Sequence, residues 1–156
     1  MAAFTGSPSK STQRTAQVDN TKVKQEDWGR IQYARFDYTH TLGAGTGEVN
    51  LIKLPGGKIR VFHALSRVVS SAMVATADLH IGHRAFVDAA GATVAEDDNE
   101  WLDNADAGAA IDSAFLLPGA EVYDTRDGLE IYAMIDTANI EDTDTIVGWI
   151  AYARGG

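Results

Sequence analysis

A chain of 156 residues without cysteine excludes a disulfide framework and any thiolate metal site, and its length suits one domain plus a tail. A hydrophobic content of 45% is too high for a wholly disordered chain, and no apolar run approaches the roughly 20 residues of a membrane span or supplies the apolar core of a secretory signal. The net charge of −9 argues against wrapping nucleic acid, which needs clustered Lys and Arg to neutralise phosphates.

That charge is unevenly placed. Lys10, Arg14, Lys22, Lys24 and Arg30 against Asp19, Glu26 and Asp27 leave the first thirty residues at +2, so the remainder carries −11. Residues 1–27 hold Ser, Thr, Gln, Lys and Asn with few large apolar side chains. Such a segment buries too little apolar surface to offset its ordering entropy. It reads as a flexible basic arm that orders against a partner, with Phe4 and Val18 as small anchors and Lys10, Arg14, Lys22 and Lys24 as guides. Trp28 stands where the arm meets a body spanning residues 28–156, and is a natural anchor there.

From Trp28 onward the pattern has period two, which marks strands. Residues 31–38 carry aromatics on both parities. The Gly43–Gly47 run reads as a flexible turn before a strand at 48–54. Pro55-Gly56-Gly57 is a reversal, because Pro presets φ and Gly tolerates positive φ. A strand follows at 58–65 with Ile59, Val61, His63 and Leu65 on one side, and 67–74 continues it. Residues 79–87 alternate most clearly: Leu79, Ile81, His83, Ala85 and Val87 share one face. Residues 95–108 are an acidic excursion, predicted as a loop with at most one helical turn around Trp101. Strands are expected again at 110–117, 121–123, 129–136 and 144–153. The last is apolar on both parities, which predicts a central strand or a subunit contact. Eight or nine short strands about ten residues apart, with no long amphipathic helix, predict an antiparallel β-sandwich or barrel.

Chemistry-bearing motifs are thin. His80 and His83 form an HxxH, but on a strand positions three apart point to opposite faces, so they do not chelate one ion together. His63 and His83 fall on apolar faces and could meet in a core. Glu96, Asp97, Asp98, Glu100, Asp103 and Asp106 are six carboxylates in eleven residues, yet EF-hand spacing is absent. They read as a solvated loop or a patch that answers basic groups of a partner. The Gly43–Gly47 run precedes a strand, so it is not the glycine loop that opens a helix in nucleotide-binding folds. Ser66, Ser70 and Ser71 have no G-x-S-x-G elbow around them. No catalytic residue, metal or cofactor is therefore expected. Of Trp28, Trp101 and Trp149, at least Trp28 or Trp101 is expected at a contact between chains, since aromatics dominate interface energetics.

The stretch Leu79-His80-Ile81-Gly82-His83-Arg84-Ala85-Phe86-Val87-Asp88-Ala89-Ala90-Gly91 leading into the acidic residues 96–106, together with the polar arm and the Ala- and Gly-rich β body, resembles the capsid decoration (cement, or head-stabilising) proteins of tailed bacteriophages. The resemblance implies a jelly-roll-like β-sandwich assembled as a homo-oligomer, trimer favoured over dimer, on the outer surface of a virion put together in the host cytoplasm. It implies the major capsid protein as partner, an arm docked on the shell, and neither nucleic acid nor membrane as a ligand. It carries over no catalytic residues. Two alternatives stay open from the residues alone: a tail- or spike-associated module that binds glycans through Trp101 and its polar neighbours, and a small cupin-like metal-dependent enzyme using His63, His80 and His83.

Overall fold

The computed structural model describes residues 29–41, 45–115 and 122–155. The arm residues 1–27, including Phe4, Lys10, Arg14, Val18, Lys22 and Lys24, lie outside the described residues, as does Trp28. Among the described residues there are twelve strands and one 3-10 turn: β1 (Gln32–Thr39), β2 (Gly45–Leu54), β3 (Gly57–Val61), the turn His63–Leu65, β4 (Arg67–Ser70), β5 (Asp78–His83), β6 (Phe86–Val87), β7 (Thr93–Val94), β8 (Asp97–Asp106), β9 (Asp112–Ala114), β10 (Val122–Thr125), β11 (Leu129–Ile140) and β12 (Thr145–Arg154).

The architecture is an antiparallel, jelly-roll-like sandwich. One sheet runs β10-β3-β12-β4-β9, with β1 on the other side of β12; the second runs β2-β11-β5-β8. Every named pairing is antiparallel. Ile59, Val61, Val68, Ile146 and Ile150 of the first sheet and Leu54, Leu79, Ile81, Ile131 and Ile135 of the second are at most 1% exposed and belong to one core. Each such side chain withdrawn from water contributes about 1.5–3 kcal/mol, which is what holds the two layers together. The doubly apolar C-terminal segment is central, as its pattern requires: β12 pairs with β1 on one edge and with β3 and β4 on the other.

The period-two reading is interrupted at several points, and the strand expected over 67–74 ends at Ser70. The strand expected over 58–65 stops at Val61, and His63–Leu65 coils into the 3-10 turn. Tyr152 pairs with Val61 and Trp149 with Arg67, so three extra residues must be absorbed against β12, and the turn absorbs them. Ser66 makes this possible. Its buried hydroxyl donates to the Phe62 carbonyl at 2.9 Å and accepts from the Ala151 amide at 3.0 Å, taking the place of a missing ladder carbonyl. The strand expected over 79–87 splits into β5 and β6 around Arg84 and Ala85.

The acidic excursion is the largest correction. Instead of a loop, residues 97–106 form the ten-residue edge strand β8. Its register against β5 shifts twice, between the Leu79 and Ile81 pairs and between the Ile81 and His83 pairs. Bulges of this kind leave extra residues on one strand and reset which face a side chain takes. Consecutive Trp101 and Leu102 are consequently both buried, at 0% and 5% exposed.

Candidate interaction surface

The β6–β7 hairpin is fastened to the rim of the first sheet. The Arg126 amide donates to the Val87 carbonyl at 2.8 Å, the Ala89 amide to Asp124 at 3.3 Å, and Asp88 bridges Thr125. The hairpin, the edge strand β10 and the start of β8 thereby enclose a groove of about 570 Å³. Its apolar surface comes from His83, Phe86, Val94, Val122 and Tyr123, and its rim from the carboxylates of Asp88, Glu96, Asp97, Glu100 and Asp124. Val94 and Val122 are 36% and 40% exposed. No Lys or Arg is among the described lining residues.

The floor of the groove is an aromatic cluster. The His83 ring lies 5.3 Å from Phe86 and 5.7 Å from Tyr123, centroid to centroid. Trp101 meets Tyr123 edge-on at 5.9 Å and stacks on Phe115 at 5.8 Å, the geometries that ring quadrupoles favour. Trp101 Nε1 donates to the Tyr123 hydroxyl at 3.0 Å, and that hydroxyl donates to Glu100 Oε1 at 2.9 Å. The chain of bonds satisfies a buried indole N–H and delivers the residual polarity to the rim.

Burial, and then the neighbouring Glu100 carboxylate, push the Tyr123 phenol far above its ordinary value. Burial, and then Glu96, push Tyr132 up to about 12 even though the Arg84 guanidinium lies 3.9 Å over its ring and opposes the shift. Both shifts keep the proton on the folded form more tightly than on the unfolded chain. The associated stability is complete below the ordinary phenol value of 10.0 and is withdrawn as pH rises towards 12. Spectrophotometric titration is expected to show both phenols still protonated at about pH 11, where a free tyrosine is mostly ionised, with an alkaline fall in melting temperature over that window.

Trp101 is wholly enclosed in its own subunit. The contact between chains expected of it finds no ring surface to use, and the same burial leaves nothing to stack on a sugar. His63 and His83 are brought together around this indole, at 6.5 and 6.2 Å from its centroid. His80 turns the other way, with Nδ1 3.2 Å from Asp103 and Nε2 3.3 Å from Asp136, so it ties β5 to β8 and β11. Asp106 accepts from the Gly108 amide, and Glu96 sits 3.7 Å from Arg84. Glu96, Asp97 and Glu100 thus stay together on the groove rim while Asp103 and Asp106 are engaged elsewhere, and among the described residues no group of three His, Asp or Glu side chains is placed to hold a metal ion.

Sequence reasoning missed a second surface. On the outer face of the first sheet Tyr33 (57% exposed) and Leu65 (44% exposed) line a shallow groove of about 400 Å³ with Arg35 and Trp149. The Trp149 Nε1 donates to the Leu65 carbonyl at 2.8 Å, which ties the ring to the 3-10 turn. The mixed parity of aromatics at 31–38 was the available signal.

The fold has counterparts among virus structures. A chain in the capsid asymmetric unit of cyanophage Pam1 superposes with a TM-score of 0.54 at 13% identity, covering 85% of this chain and 90% of that one. The likeness is one of fold. The acid-stable capsid structure of Helicobacter pylori bacteriophage KHP30 gives 0.49 at 18% identity over 83% and 91% of the two chains. The structure of infectious bursal disease virus Gt strain gives 0.47 at 12% identity over 84% of this chain and 34% of that one. No family model and no curated protein matches the sequence.

Proposed function

We propose that this protein is a non-enzymatic structural component of a virion that binds the outside of a phage capsid and cements neighbouring major capsid subunits, with its N-terminal arm docked on the shell. The observation that carries the reading is the end-to-end fold overlap with a chain of the cyanophage Pam1 capsid asymmetric unit, 85% of one chain against 90% of the other. The arm–body charge split supports it, as does the apolar face around Tyr33 and Leu65, since solvent-exposed apolar patches mark association surfaces.

The physics of such a role is linkage. A protein that binds the assembled lattice and not free subunits stabilises the assembled state by mass action. Copies joined as a homo-oligomer, a trimer on this reading, add avidity, and an arm that orders on contact covers a large area despite the entropy of ordering. The acidic body keeps a decorated particle soluble.

Removing residues 1–27 is expected to reduce occupancy on purified capsids by at least about tenfold, the loss of one member of a multivalent attachment. Occupancy is read by densitometry of sedimented particles. Undiminished occupancy would take the arm out of the mechanism.

A further inference from the structure

The groove between β10 and the β6–β7 hairpin pairs apolar walls, Val94, Val122 and Phe86, with a rim of carboxylates and no cation among the described lining residues. Arg84 is shared with Glu48 and reaches Glu96 only at 3.7 Å. A negatively charged groove with a partly aromatic floor fits a peptide whose lysine or arginine side chains lay aliphatic stems on the walls and place their charged ends at the rim. The chain carries such a segment outside the described residues: residues 1–28, with Lys10, Arg14, Lys22 and Lys24 against Asp19, Glu26 and Asp27.

Where the described chain begins decides whether that segment reaches. The Gly29 amide donates to the Arg154 carbonyl at 2.9 Å. Arg154 pairs with Ile59, and Ile59 pairs with Tyr123 on the floor of the groove. Gly29 therefore stands three strand spacings from Tyr123, about 14 Å at ~4.8 Å per spacing. Residues 22–28, drawn out at about 3.3 Å each, span about 23 Å. That length is enough to bring Lys22 and Lys24 to the rim from the same chain, and a tether of so short a span gives an effective concentration in the millimolar range.

The geometry points to the groove as the receptor for the chain's own basic segment, with Lys22 and Lys24 set against Glu96, Glu100 and Asp124 in the free subunit. A shell that takes up the arm must then displace it from this groove, so the groove and the shell compete for one segment. The inference concerns the free protein and stands or falls apart from the virion reading, because its test contains no capsid.

The absence of native cysteine makes the test direct. Full-length protein carrying Thr21→Cys and Thr93→Cys is spin-labelled at both sites, diluted with excess unlabelled protein, and measured by pulsed dipolar spectroscopy. Thr93 is exposed on the hairpin rim, so its label leaves the fold intact. A narrow distance distribution centred below about 25 Å is expected at low salt. It should broaden at about 1 M salt, where the Debye length falls to about 3 Å, and in the charge-reversed background Lys22→Glu with Lys24→Glu. A broad distribution indifferent to salt and to charge reversal would overturn the proposal. So would a short distance seen in undiluted samples that vanishes on dilution with unlabelled protein, which would assign the groove to a neighbour's segment.

Discussion

Alanine at Trp101 is expected to cost about 4 kcal/mol of folding stability, the range for emptying a large aromatic from a closed core. The ring is 0% exposed and touches both layers. It stacks on Phe115, meets Tyr123 edge-on and stands between His63 and His83. Its removal leaves a void and also deprives the Tyr123 hydroxyl of its donor, adding the penalty of a buried polar group with one partner fewer. Trp101→Phe separates the two contributions. It keeps most of the volume and loses the N–H, and should cost about 1–2 kcal/mol. Urea unfolding of both variants reads the difference; equal losses would place the whole effect in the hydrogen bond and none in packing.

Gly82→Ala is expected to be of comparable severity, about 3 kcal/mol or more, although the change adds a single methyl group. A Cβ at Gly82 would lie 1.8 Å from the Asp97 carbonyl oxygen and 2.6 Å from the Asp98 carbonyl carbon. Both are backbone atoms, so no side-chain rotation relieves the overlap. The strand must move, and the neighbouring His83–Asp97 pairing that anchors the start of β8 moves with it. Hydrogen exchange should show lost protection concentrated in residues 97–102 before the rest of the second sheet. Protection lost evenly across both sheets would instead mean that β8 and the core unfold as one unit.

These two residues also show where sequence reading worked and where it could not. Ile59, Val61, Leu79, Ile81, Leu129 and Ile131 lie on strands whose alternation is intact, and their inward faces were legible from spacing alone. β12 was legible as central because Ile146 and Ile150 on one parity and Val147 and Trp149 on the other leave neither side for water. β8 was not legible. Its two register shifts break the period on which the strand pattern depends, and its ten residues include four Asp and one Glu, a composition that normally marks a loop. The only sequence trace of the arrangement is Gly82, a glycine inside an otherwise regular strand, which signals a bulge or a close backbone approach. The groove was hidden for a further reason: its walls come from β6–β7, β8 and β10, which are dispersed along the chain and meet only after the hairpin is bonded to the sheet edge. Its carboxylates were visible as a cluster. Its apolar walls were not, because Val122 reads as an ordinary strand residue and Val94 falls between the strand expected to end at 87 and the acidic stretch.

The attachment of β1 bears on how the body would withstand a pull. All eight residues of β1 are matched to β12 in unbroken antiparallel register, from Gln32 with Tyr152 to Thr39 with Thr145, and β12 is gripped on its opposite edge by β3 and β4. Tension entering at Gly29 along the strand axis is therefore spread over many rungs at once, as in a lap joint, and passes straight into the middle of the sheet. A tether fixed to a frayed edge would peel one rung at a time; this one loads its ladder in shear.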